Sequence, residues 1–106
     1  MKLLKVLVAS SLLLGISTTS LFADATKGQK AFIKFLKEPC GMDGAKFAVK
    51  HTQEEWRQIK SNGKFEDEIK RICPKYEIGS IKTNLLDNII DFSIEFAKDS
   101  GNVPSC

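Results

Sequence analysis

The chain has 106 residues, 42% of them hydrophobic and 27% charged, with a formal net charge of +3. That length supports one small domain with a thin core. Lys2 and Lys5 sit in an expected leader, and their removal takes the net charge from +3 to +1, which excludes a basic nucleic-acid-binding protein. His51 is the single histidine, which excludes a histidine cluster for zinc.

Residues 1–23 read as a secretory signal peptide. Lys2 and Lys5 form a positive n-region, Leu7 to Ile16 is an apolar run, and Ala23 and Ala25 suit a signal-peptidase site. The run is too short to cross a bilayer as a stable helix. No cysteine follows it, so a lipid anchor is not indicated. The expectation is export through the Sec pathway to the periplasm, no stable membrane anchor after cleavage, and a single domain over 24–106.

An oxidising compartment makes cysteine pairing the next question. Cys40, Cys73 and Cys106 allow three pairings. Cys40–Cys73 is favoured, because each sits beside a proline where a helix should stop, and Cys106 lies in a tail behind Gly101 and Pro104. Closing that 33-residue spacing contributes about 3–4 kcal/mol in the chain-entropy treatment. Cys106 is then free or pairs with another protein; its pairing with Cys40 or Cys73 is the alternative.

The rest of the chain reads helical. Thr26 and Gln29 fit a capping box, opening a helix to about Lys37 that ends at Pro39-Cys40-Gly41. Phe32, Phe35 and Leu36 share one face of it; Lys27, Lys30, Lys34 and Lys37 fall on the other, within about 80° of one another. Asp43 caps a short helix to about Lys50 carrying Phe47 and Val49. Thr52 and Glu55 form a second capping box, opening a helix with Trp56 and Ile59 on one side and a stop at Ser61-Asn62-Gly63. A fourth helix spans about Phe65 to Ile72, burying Phe65, Ile69 and Ile72, and Cys73-Pro74 breaks it. After a loop around Gly79, the last helix runs from about Asn84 to Lys98. Its apolar residues, among them Leu86, Ile89, Ile90 and Phe92, cover about 200° of its circumference, so it should be central. Ser93 sits within that face, positioned to bond back to a backbone carbonyl. No alternating strand pattern appears. The fold class is all-α, with four to five short helices.

Few residues carry recognisable chemistry. His51 precedes a helix N-cap, where a helix-end or solvent-facing role is the ordinary one. Cys40, Met42 and His51 fall within twelve residues, a soft-sulfur and imidazole set suited to copper; the ordinary role of Met42 is to fill a gap in the core. The stripe Lys27, Lys30, Lys34 and Lys37 suits an acidic redox partner, against the plain reading of a solvated helix face. Trp56 is needed for the core of so small a domain. No nucleophile–base or acid–base pair stands out, so an enzyme is not expected.

Several segments resemble small periplasmic class I c-type cytochromes. These are Gly28-Gln29-Lys30-Ala31-Phe32, the Cys40-Gly41 stop, His51-Thr52-Gln53-Glu54-Glu55-Trp56, and the closing helix from Ile89 to Ala97. The likeness is strongest to a haem-poor offshoot, secreted cytochrome c-like proteins with a similar Ser-Gly-Asn-Val-Pro-Ser-Cys tail. It implies a cytochrome c-like fold in which the first and last helices cross, a place suited to Phe32 and Phe96. The chain departs from the family at the haem attachment motif Cys-x-x-Cys-His. Cys40 has Lys37 three residues before it, and Gly41 stands where the axial histidine would be. The expectation is a haemless binding or accessory module associated with a respiratory redox system, whose partner is a periplasmic protein such as a redox enzyme. The alternative is an electron carrier holding haem non-covalently or by one thioether, with His51 and Met42 as candidate axial ligands.

Overall fold

The computed structural model describes residues 25–102, which form helices and connecting turns with no strand among them. The expected leader 1–23 and Cys106 lie outside the described residues. Six helical segments follow in order: α1 (25–35), α2 (Lys37–Cys40), α3 (Gly44–Ala48), α4 (Gln53–Ser61), α5 (Phe65–Ile72) and α6 (Thr83–Glu95). None is long and apolar enough to cross a membrane.

Two local expectations change in α1. The helix is already formed at residue 25, so Thr26 lies inside it and not at its cap. At the other end, the continuous helix expected to Lys37 breaks at Leu36 and restarts as α2. Pro39 explains the break: its ring crowds the carbonyl four residues back, that of Phe35, and it brings no N–H to the ladder. Gly41 then closes α2 with φ +61° and donates its N–H to the carbonyls of Lys37 and Glu38.

The later caps follow local sequence chemistry. Asp43 accepts a bond from the Lys46 N–H at 3.4 Å to open α3. Thr52 Oγ1 accepts from the Glu55 N–H at 3.2 Å, and Glu55 Oε1 accepts from the Thr52 N–H at 2.9 Å, a complete capping box. α4 ends in a Schellman arrangement, with Lys64 N–H on the Ile59 carbonyl, Gly63 N–H on the Lys60 carbonyl, and Gly63 at φ +65°. α5 keeps its expected bounds, Phe65–Ile72. The loop after it is tied by Glu66, whose carboxylate accepts from Tyr76 Oη at 2.8 Å and from the Gly79 N–H at 2.7 Å. Burial, then the Glu66 carboxylate, push the Tyr76 phenol up to about 12, so it stays a neutral donor.

α6 is central as expected, packing against both α3 and α4. It stops at Glu95, three residues short of the expected end, because side chains take over its last carbonyls: Gln53 Nε2 donates to Ile94 and Asn102 Nδ2 to Glu95. Ser93 Oγ donates back to the Ile89 carbonyl at 2.9 Å. The core is aromatic at its centre. Phe32, Phe47, Trp56 and Phe92 are fully buried, with Phe32–Phe47 and Phe47–Trp56 ring centroids 5.1 and 5.4 Å apart. Trp56 Nε1 donates to the Ala48 carbonyl at 2.8 Å, so its polar end is satisfied inside. Val49, expected to be carried with Phe47, is 47% exposed.

α1 reaches α6 through Gly28. A Cβ on residue 28 would lie 1.9 Å from the Asn88 carbonyl oxygen and 2.7 Å from Phe92 Cβ. Gly44 makes a second close approach, to the Phe92 ring. Phe92 is the aromatic residue that Phe32 faces across this contact, at 6.4 Å, and Phe96 packs on Phe92 at 5.2 Å. On the far side, the Cys40–Cys73 disulfide joins the end of α2 to the end of α5, with Cα atoms 4.5 Å apart.

Two stability predictions follow from these contacts. Gly28→Ala should cost about 3 kcal/mol or more in urea unfolding, because backbone must move; Gly63→Ala, whose Cβ meets open space, should cost only about 1–2 kcal/mol from its left-handed backbone. Equal losses would mean that α1 is not seated at Gly28. Reduction of Cys40–Cys73 should lower the melting temperature by on the order of 15–25 °C, and an unchanged melting temperature would show that the bridge does not hold the fold.

Candidate functional site

The residues expected to carry chemistry fall into two separate places. The first surrounds His51, on the turn between α3 and α4. Its backbone carbonyl accepts from the Lys98 N–H, and the neighbouring Gln53 N–H donates to Asp99 Oδ1 at 2.8 Å, so the segment after α6 clasps this turn. The imidazole lies edge-on to Trp56, centroids 4.8 Å apart, and its side chain is 18% exposed. It is thus a helix-end residue, as expected, but one tucked against the core.

Both ring nitrogens of His51 face carboxylates. Nε2 is 2.7 Å from Glu68 Oε2 on α5, and Nδ1 is 3.7 Å from Glu55 Oε1 on α4. Against an ionised Glu68, Nε2 carries the hydrogen and donates it. Arg71, one turn along α5, also binds the Glu68 carboxylate through Nε and Nη2. The Arg71 bond first, and the His51 bond after it, hold the Glu68 carboxyl below its ordinary value despite partial burial. Glu55 is likewise lowered, chiefly by the Thr52 N–H and hydroxyl of its capping box.

Cys40 is not available as a ligand beside His51. Cys40 Sγ is bonded to Cys73, and Met42 packs half-buried against the hydrophobic core. Among the described residues, no group of three or more His, Cys, Asp and Glu side chains is placed to hold a metal ion.

The second place is a groove of about 470 Å³ between α1 and α6. Lys27, Lys30 and Lys34 rim it from α1, and Asn84 and Asn88 from α6. Its floor is apolar: buried Ala31, with Phe35 and Leu85 half-buried. Lys34 Nζ lies 5.3 Å from the centre of the Phe35 ring. Lys34 and Phe35 also belong to an adjoining groove that runs past Glu38 and Pro39 to Lys75 and Ile81. Three of the four lysines read as a stripe thus share one concave track. Lys37 lines neither groove, because the break at Leu36 places it in α2. Lys75 was missed by sequence reasoning: it stands in a loop, far along the chain from the helix it faces.

The Glu68 cluster yields a pH prediction. A carboxyl lowered in the folded state contributes stability that is present above its unfolded value, ordinarily 4.5, and lost as pH falls through the folded value. Glu68→Gln should therefore flatten the fall of unfolding free energy below pH ~4.5. A fall as steep as in the unmodified protein would remove the cluster from the acid response.

Compared with known proteins, the chain matches no protein-family model, no curated protein and no solved structure.

Proposed function

We propose that the protein is a haemless binding or accessory module of the periplasm, attached to a respiratory redox system and without catalysis of its own. The observation that carries this reading is the Cys40–Cys73 disulfide. It occupies the one cysteine that stands where the cytochrome attachment motif would lie, so no thiol is left there to form a thioether. The same bridge suits an oxidising compartment. His51 points the same way, since Glu68 holds its Nε2 and Glu55 faces its Nδ1. An axial bond to iron would have to displace one of these carboxylates. The residues present therefore do not fit a haem held through Cys40 and His51.

Two features support the cytochrome c-like relationship without requiring the haem. α1 meets α6 at Gly28, with the Phe32 and Phe92 rings beside the contact, tilted at 39° with centroids 6.4 Å apart. The interior is filled by the rings of Phe47, Trp56 and Phe65, packed within 6.4 Å of one another, and the disulfide supplies part of the stability that a large apolar cofactor would otherwise bring to so small a core. Periplasmic residence rests on residues 1–23 and on the bridge. The lysine-rimmed groove is the surface best suited to engage a partner, because it joins charge to half-exposed apolar area.

The test is a visible absorption spectrum of the protein from the periplasm of a host that attaches haem to cytochromes. The expected result is a colourless, folded, helical protein. A Soret band at stoichiometric intensity, lost in His51→Ala, would overturn the proposal and make the protein an electron carrier with an atypical haem site.

A further inference from the structure

Lys27, Lys30, Lys34 and Lys75 have charge that the fold leaves uncompensated. Among the described residues none of the four pairs with a carboxylate, as is also true of Lys37, Lys46, Lys50, Lys82 and Lys98, but these four are gathered along two joined grooves. Lys27, Lys30 and Lys34 stand three and four residues apart on one helix, where like charges repel and weaken the helix. The apolar side chains between them, Phe35 and Leu85, are only half-buried. Cations around a wet apolar floor are an arrangement that binding would relieve on both counts.

The shape of the track narrows the occupant. Lys27 to Lys34 alone span roughly 10 Å along α1, and the two grooves continue through Lys34 and Phe35 to Lys75. A small anion would meet one or two of the lysines and leave the rest. An anionic membrane would be a poor match, because a planar surface does not enter a groove between helices and the expected exported chain carries a net charge of only +1. A helix with carboxylates on its flanks and two or three apolar residues along its underside would meet the whole track: apolar anchors on Phe35 and Leu85, carboxylates on the lysines, and polar contacts to the amides of Asn84 and Asn88.

We infer that the α1–α6 groove is a docking site for an acidic amphipathic helix of a partner protein. This rests on the reading of the protein as a binding module. Glu38, an acid on the second groove beside Pro39, sets a direction: the acidic part of the partner lies toward Lys27 and Lys30, its less acidic end toward Glu38.

The experiment is a nuclear magnetic resonance titration of the 15N-labelled protein, with Cys40–Cys73 oxidised, against a synthetic peptide of roughly four helical turns bearing Glu at i, i+4 spacing and Leu on one face. A scrambled peptide of the same composition and vesicles of phosphatidylglycerol serve as the other two probes. The expected result is saturable binding of the patterned peptide, with shifts centred on Ala31, Lys34, Phe35 and Leu85, weakened at least about tenfold in Lys30→Glu/Lys34→Glu and in high salt. Lys46→Glu/Lys50→Glu, outside the groove, should change affinity by less than about threefold. Equal binding of the scrambled peptide, indifference to the Lys30/Lys34 change, or binding to vesicles alone would each overturn the inference. A Soret band on the same sample would overturn the haemless reading separately, since peptide binding is scored by the shifts and not by colour.

Discussion

The absence of a side chain at position 28 is what lets the first helix lie against the last. α6 buries Leu86, Ile89, Ile90 and Phe92, and α1 reaches it at a point where any Cβ would strike the Asn88 carbonyl. Gly28 and Gly44 both give their space to Phe92, which then bridges Phe32 on one side and Phe96 on the other. Because the contact is backbone against backbone, the aromatic residues at its edge can interleave, and the stack from Phe32 through Phe47 to Trp56 follows from it. The groove between the same two helices exists for the same reason: where Gly28 brings the helices together, the longer side chains of Lys30 and Lys34 diverge from α6 and leave a furrow floored by Ala31, Phe35 and Leu85.

A domain of this size has little stability to spare, and its fastenings are distributed accordingly. The disulfide holds α2 to α5 on one side. On the other, the turn at His51 is clasped by residues 98 and 99 through the bonds to the His51 carbonyl and the Gln53 N–H. Lys60 adds a cross-tie to Asp91 at 2.8 Å between α4 and α6. His51 belongs to this set of fasteners. Its ring joins the α3–α4 turn to Glu68 on α5, beside the Trp56 ring, and Arg71 keeps the accepting carboxylate ionised. A lone histidine so employed ties three parts of the chain together.

The division of charge is informative in the same way. Arg57, Lys60, Lys64 and Arg71 pair with carboxylates and Lys70 donates to the carbonyls of Pro74 and Tyr76, while Lys27, Lys30, Lys34 and Lys75 line the track without a carboxylate partner among the described residues. The contrast is one of placement and not of composition, since lysines are spread along the whole chain. On the proposed reading as a binding module, a surface that keeps its charge and part of its apolar floor exposed is where a partner would dock.

Much of this was legible in the residues. Thr52 with Glu55, Asp43, Gly63 and Pro74 are signals read within a single turn of helix, and the elements they bound stand where those signals put them. Helical periodicity marked Phe32, Leu36, Trp56, Ile69 and the buried face of α6, and helix-stopping prolines beside Cys40 and Cys73 marked the disulfide. Pro39 sat in plain view, yet its effect fell three residues upstream at Leu36, because the proline ring acts on the preceding turn. The pairing of His51 with Glu68, the addition of Lys75 to the lysine track and the close approach at Gly28 had no local signal at all. Glu68 is 17 residues from His51 in the chain, and Asn88 is farther still from Gly28. By itself the sequence determined the helices and their buried faces and favoured the bridge, because caps, periodicity and stops are short-range physics. Only the tertiary structure decided which distant side chains meet, because that depends on how closely the helices approach once their apolar faces are buried together.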